Sequence, residues 1–301
     1  MVSVIVPTYN GAHKIVNVLR ALEQQTCQGF EVLVVIDGST DNTLEVLKET
    51  SFDLENLKII YQENKGRAAV RNKAAQEAAG DLLIFFDDDM RPAQECVKAH
   101  IEHHKSFPDS IAVGTAINDY DAAHTEMQKY KCYCSRKWEQ ELKNFENQPL
   151  PKSHPYIAAA NFSISKKMFE TLGGFDERLN DAEDYDLAVR TVLKNIPIFY
   201  NQKAHAWHDE DFTMGNYIRR RKGYIQAHEL LKRIKPEVYK DFSRHNPKLN
   251  NGVKKIMFWL FSSKVWPAAV QHFNFFRFLP QALRFKIYDV IITSQTVYFP
   301  Q

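Results

Sequence analysis

The stretch GDLLIFFDDDMRP, residues 80–92, decides how the chain is read: an uninterrupted apolar run, Leu82 to Phe86, ends on three consecutive aspartates, Asp87, Asp88 and Asp89. Five apolar residues in a row suit a strand buried on both faces, the condition of inner strands in a parallel sheet. Two carboxylates about 4 Å apart repel by roughly 4 kcal/mol at the effective dielectric of a protein surface. The aspartates therefore call for positive charge at the carboxyl end of that strand.

Working outward, the same kind of run recurs between helical patterns. VSVIVP, EVLVVI and LKIIY precede it, separated by helix-like segments from Ala12 to Gln25, Thr40 to Thr50 and Ala68 to Ala79. Strands alternating with helices are βαβ units, so an α/β fold is expected: a Rossmann-like, mostly parallel sheet flanked by helices, with its ligand beyond the strands' carboxyl ends. Downstream, residues 121–155 read as polar and mostly helical, and YIAAANFSISKKMFETLGGFDERL as a strand, a short helix and a Gly-Gly turn. NDAEDYDLAVRTVLKN reads as a helix with an acidic start, and everything after HDED as helical.

The chain has 301 residues, 44% hydrophobic and 25% charged, an ordinary globular composition. Its formal charge of +2 conceals an asymmetry: residues 213–301 carry 16 Lys and Arg against 4 Asp and Glu, a net +12, which leaves −10 on the first 212. Charge and pattern together divide the chain into residues 1–212, an α/β domain, and residues 213–301, a basic and aromatic helical extension suited to an anionic membrane or to subunit contacts. The four cysteines, Cys27, Cys96, Cys132 and Cys134, include no metal-binding pair of pairs, so reduced thiols are expected. MVSVIVPTYN enters a strand at once, without the features of a signal peptide, and no apolar run reaches the ~20 residues of a membrane span. A cytoplasmic protein, peripheral at most to the inner face of the membrane, is expected.

Four features fall where ligands of such a sheet gather: VPTYN (with Pro7, Thr8, Tyr9 and Asn10), IDGSTD (with Asp37), NKGRAAVRN (with Arg71) and the triple aspartate. Each alone has an ordinary explanation. Asp37 suits a turn, Asp41 a helix cap and Arg71 a solvated helix face. In their joint order they resemble the family 2 glycosyltransferases of GT-A fold, over about residues 2–210. The resemblance implies transfer of a sugar from a nucleotide-diphosphate donor, with a UDP-sugar as the expected donor and a hydroxyl of a glycan or glycoconjugate as acceptor. It places VPTYN along the nucleotide pocket with Tyr9 beside the base, Asp37 on the uracil and Arg71 near the nucleotide. It makes DDD the D-x-D element, with Asp87 toward the ribose, Asp88 in the donor site and Asp89 on Mn²⁺ or Mg²⁺. Many members have two aspartates before the glycine, where this chain has Ile36 and Asp37.

Further on, AEDYDLAVR resembles the family's E-D element, which makes Asp184 the general base of an inverting displacement and leaves Asp186 as runner-up. These acids could instead complement a helix N-terminus. His208, in AWHDED, takes the place of a histidine near the metal, and NYIRRRKGY resembles a basic element that can approach the diphosphate. Two other classes compete: a sugar nucleotidyltransferase, whose Gly-rich, Arg-containing first loop is not matched by PTYNGAHK, and a non-catalytic nucleotide-binding scaffold. No nucleic-acid-binding motif is found.

Overall fold

The computed structural model describes residues 1–210, 212–242, 249 and 252–300. By Cα proximity the chain forms two compact units: residues 1–119 with 135–210, and residues 120–134 with 211–301. The second unit therefore recruits a segment, 120–134, that a boundary drawn at residue 212 on charge and pattern leaves in the first.

Eight strands make the sheet of the first unit: β1 (Val2–Thr8), β2 (Glu31–Asp37), β3 (Leu57–Gln62), β4 (Leu82–Phe86), β5 (Met90–Pro92), β6 (Ile111–Ile117), β7 (Asn161–Ser165) and β8 (Ile198–His208). Their order is β3-β2-β1-β4-β7-β6-β8-β5. The β1–β2, β2–β3, β1–β4 and β6–β8 pairs are parallel, whereas β7 runs antiparallel to both β4 and β6, and β5 to β8. The four N-terminal strands are the four apolar runs of the sequence. β2 is buried along its whole length and β1 from Ser3 onward, as residues with helices on both faces must be.

The intervening helices are α1 (Ile15–Glu23), α2 (Thr43–Glu49) and α3 (Arg67–Glu77). Ile15, Val18, Leu19 and Leu22 recur at helical spacing on α1 and pack with Val4, Val6, Val32, Val34 and Ile84 in one core. A second apolar layer is aromatic: Phe85 stacks on Phe162 at 4.6 Å between ring centroids, with Phe175 edge-on at 5.9 Å. Next come α4 (Cys96–Ser106), α5 (Glu126–Lys143), α6 (Lys166–Leu172) and α7 (Glu183–Leu193). Ser165 caps α6 by accepting from the Met168 amide at 3.2 Å, and Gly173 ends it in the left-handed conformation.

In the second unit lie α8 (Met214–Ile234), α9 (Pro236–Tyr239), α10 (Gly252–Leu260), α11 (Val265–Phe273), α12 (Gln281–Thr293) and a π-helical turn, Ser294–Tyr298. Met127, Tyr130, Met214, Ile218, Phe285 and Tyr288 are among the residues of its own core. Tyr130 donates to Asp289, and Arg284 pairs with Glu126 at 2.6 Å, which is how the start of α5 is held to the C-terminal helices. No helix among the described residues is long and apolar enough to cross a membrane.

Candidate active site

β1, β2 and β4 end side by side, and the site is built on those ends. Asn10, at positive φ, has its side-chain oxygen on the Thr40 amide at 2.8 Å, while its own amide donates to Ser39 Oγ at 2.9 Å. The two loops are thereby joined, and Asn tolerates the left-handed conformation this requires. Gly11 is obligatory for a different reason. A Cβ there would stand 2.0 Å from Thr8 Oγ1 and 2.7 Å from Asp88 Oδ2.

The charge implied by the triple aspartate is present, as Arg71 beside Asp87 and Lys14 beside Asp88 and, at longer range, Asp89. Asp87 pairs with the buried guanidinium of Arg71. Asp88 turns inward, where it accepts from Thr8 Oγ1 at 2.6 Å and from Lys14 Nζ at 2.7 Å. Burial pushes the Asp88 carboxyl up, and Lys14 and Thr8 pull against that shift. Asp89 Oδ1 lies 3.2 Å from His208 Nε2, and Asp89 Oδ2 3.9 Å from Lys14 Nζ. His208 Nδ1 in turn lies 3.7 Å from Glu210. The histidine is brought there by antiparallel pairing of β8 with β5, in which His208 stands opposite Met90, one residue past Asp89. Lys14 is the residue that sequence reasoning missed: within the helix-like segment from Ala12 to Gln25 it looks no different from a solvated lysine.

Arg71 does more than neutralise Asp87. Its Nη1 is 2.7 Å from Glu183, so one guanidinium ties the end of β4 to the start of α7. It lies in the protein interior, not on a solvated helix face, and its charged form is strongly favoured by Asp87 and Glu183 against the cost of burial. Ala182, which precedes α7, has φ +61°, a conformation costly for a non-glycine residue, and it sets the turn on which Glu183 and Asp184 are presented. Asp184 accepts from the Tyr185 amide at 2.7 Å, and burial together with the neighbouring Glu183 charge pushes its pKa up to about 7. Asp186 points the other way. It is fully buried and bound at 2.7 Å by Arg190, whose remaining donors reach the Leu172 and Gly174 carbonyls, so it anchors α7 to the Gly-Gly turn. Tyr156, whose phenol is pushed up to about 12 by burial, feels the charge of Asp184, and Trp138 is edge-on to it at 5.5 Å.

The remaining residues singled out in the sequence are placed as follows. Pro7 and Thr8 are buried at the end of β1, and Tyr9 is exposed beyond them. Asp37 is buried at the end of β2, where it accepts from Gln62 Nε2 at 2.7 Å and from the Lys65 and Gly66 amides at 2.9 Å each. It thus fixes the loop that opens α3 and, through α3, Arg71. NYIRRRKGY lies on α8, in the second unit.

Among the described residues, no group of three His, Cys, Asp or Glu side chains is arranged to hold a metal ion by itself. Asp89 and His208 still fit one that takes its other ligands from substrate. Their facing atoms are 3.2 Å apart, close to the edge of about 3.0 Å of an octahedron with ligands at about 2.1 Å, and Mg²⁺ is commonly held by one or two protein groups plus substrate phosphates.

These features define an α/β protein whose acidic and basic side chains converge beyond the carboxyl ends of a mostly parallel sheet. The family model described as glycosyl transferase family 2 matches residues 3–173, more than half of the chain, and the protein belongs to that family. The glycosyltransferase AglE of Haloferax volcanii is 30% identical over 186 residues, which are 61% of this chain and 58% of AglE. A mannosyltransferase of Pyrobaculum calidifontis, solved with GDP-Man and Mn²⁺, superposes with a TM-score of 0.63 at 18% identity, over 100% of this chain and 88% of that one. S. aureus TarS 1-349 in complex with UDP-GlcNAc gives 0.54 at 20% identity, over 99% and 91%. These likenesses show the GT-A type of fold. The chain spans less than two thirds of the length of curated relatives such as AglE.

Proposed function

We propose that the protein transfers a glycosyl group from a nucleotide-diphosphate sugar to an acceptor hydroxyl, with inversion at the anomeric carbon and with Asp184 as general base. The observation that carries this reading is the pair of acidic groups joined by Arg71: Asp87, in the element expected to face the donor, and Glu183, next to a carboxyl whose pKa lies near neutrality. A base poised near the working pH combines a useful deprotonated fraction with enough basicity to take a proton in the transition state. As the acceptor oxygen forms its bond to the anomeric carbon, its proton passes to Asp184, and the electron pair of the breaking C–O bond leaves with the nucleoside diphosphate.

Asp89 and His208 would hold Mn²⁺ or Mg²⁺, which when bound supplies positive charge to the diphosphate as it leaves. Lys14 keeps Asp88 inward and stands 3.9 Å from Asp89, so it adds positive charge beside both carboxylates. Arg71 holds Asp87 in place, and Asp37 orders the loop before α3. Trp138 and Tyr156 offer an aromatic wall to the acceptor beside the base. UDP is the nucleotide we favour, since VPTYN and Asp37 resemble the family's uracil-binding segments and TarS 1-349 is solved with UDP-GlcNAc. The test is a donor screen scored by release of nucleoside diphosphate, with Mn²⁺, Mg²⁺ or EDTA. Turnover of one nucleotide sugar, lost in EDTA, is expected. Pyrophosphate release from a sugar phosphate and a nucleoside triphosphate would show a nucleotidyltransferase instead.

A further inference from the structure

α10 presents an unusual surface. Val253, Ile256, Met257 and Leu260 recur at i, i+3, i+4 and i+7, the spacing of a core-facing helix, yet none of the helix's residues is buried. Val253 is 77% exposed, Ile256 67% and the adjoining Trp259 64%. The inner side of the helix is already occupied: Phe258 packs against Tyr298 at 4.6 Å, and its carbonyl accepts from Ser294. The apolar stripe is therefore not the face that holds the helix to its own unit.

The surface continues past the end of the helix. The Trp266 indole donates to the Leu260 carbonyl at 2.8 Å and lies 6.2 Å from the Phe275 ring. Phe275 opens the turn after α11, between Phe273, the last residue of that helix and 74% exposed, and Phe278, 73% exposed. Large apolar patches of this kind on soluble proteins mark contact sites. The charges beside them choose the partner. Lys254, Lys255, Lys264 and Arg277 are exposed among these apolar residues, in a segment that carries +12 overall. Two copies of such a face would bring like charges together, whereas an anionic bilayer offers hydrocarbon to the aromatic and aliphatic side chains and phosphate to the cations.

We propose that α10 and the segment 273–278 form a docking surface for an anionic lipid bilayer. The stripe of α10 and the exposed phenylalanines enter the headgroup boundary, and the neighbouring lysines and Arg277 meet lipid phosphates. The experiment is co-sedimentation of the full chain with vesicles of phosphatidylcholine alone or mixed with phosphatidylglycerol, with light scattering to record oligomeric size. Binding to the mixed vesicles, weakened by salt and accompanied by a blue shift of indole fluorescence, is expected. Ile256→Glu with Trp259→Glu should abolish it without changing the melting curve, since both side chains are exposed. Lys254→Gln with Lys255→Gln should weaken it by about thirtyfold, at roughly fivefold per lysine. Absence of vesicle binding overturns the proposal, as does binding that the glutamate variant retains or that is equal on both vesicles. Concentration-dependent self-association, lost in the glutamate variant and without vesicle binding, would assign the face to a second copy of the chain.

Discussion

Replacing Arg71 by methionine removes a buried cation from between two acids and should be felt in both stability and pH dependence. Glu183 is almost wholly buried, 2.7 Å from the guanidinium, while the Asp87 side chain is 28% exposed and solvent screens its share. Breaking one side of a buried pair costs about 3–5 kcal/mol, because the remaining charge stays desolvated. At roughly 2–4 °C per kcal/mol for a unit of this size, Arg71→Met should lower Tm by about 6–20 °C. Arg71→Met with Glu183→Gln should recover part of that loss, since the stranded carboxylate is then gone. Arg71 also helps keep Asp184 ionised, so the rising limb of a pH–rate profile should move above pH 7 in Arg71→Met. Thermal melts followed by circular dichroism, with donor turnover measured across pH, read both effects. A variant that melts within about 2 °C of wild type, with an unmoved limb, would show that the three side chains do not act as one ion-paired unit.

Lys14→Met should destabilise toward the lower end of the roughly 3–5 kcal/mol for a broken pair, since the lysine is partly exposed, and adding Asp88→Asn should restore stability; urea midpoints decide it. Gly11→Ala drives a methyl group into Thr8 and Asp88 and should cost about 1–3 kcal/mol, whereas Gly215→Ala, in open space on α8, should be neutral or stabilising by up to about 1 kcal/mol. Acid should weaken the fold through His100 and His104, which burial holds neutral, with pKa values lowered to about 3 and about 4. Asn161 donates to the Thr115 and Ala204 carbonyls, so its oxygen accepts from His100 Nε2; His100 Nδ1 then accepts from Ser163, which accepts from His104. Below the unfolded value near 6.5 the unfolded chain binds protons that the folded one refuses. Stability is thus intact above pH 6.5 and should fall by up to about 1.4 kcal/mol per pH unit for each histidine as pH drops toward 4. A flat stability profile over that range would refute the neutral pair.

Much of the α/β rhythm was legible because strands buried on both faces must be written as continuous apolar runs, and β1 to β4 coincide with those runs to within about two residues, the usual uncertainty of boundaries. β5 was not legible. Three residues, Met90–Pro92, form a strand only because β8 supplies the partner. β6, Ile111–Ile117, carries an apolar pattern, but Gly114 and Thr115 interrupt it and blur its signature as a strand. Residues 120–134 read as part of the polar region between strands, and their membership of the second unit rests on contacts such as Tyr130–Asp289, 159 positions apart. Within the site, the positions of the acids were readable from motif order, but their partners were not. Arg71 and Glu183 are separated by 112 residues, and no local pattern distinguishes a lysine that reaches Asp88 from one in solvent. Asp184 and Asp186, two residues apart near the start of one helix, diverge because only Asp186 has an arginine one turn later.

The most direct test of Asp184 as the base is the pH dependence of donor turnover in wild type and in Asp184→Asn. The working form of a base is the deprotonated one. Wild-type turnover should therefore rise about tenfold per pH unit below a midpoint near 7 and level off above it. Asp184→Asn should be slower by roughly 10²–10⁴-fold, without that limb, while metal-dependent binding of the nucleoside diphosphate stays near wild type. Turnover in Asp184→Asn close to wild type, with the same limb, would contradict the assignment.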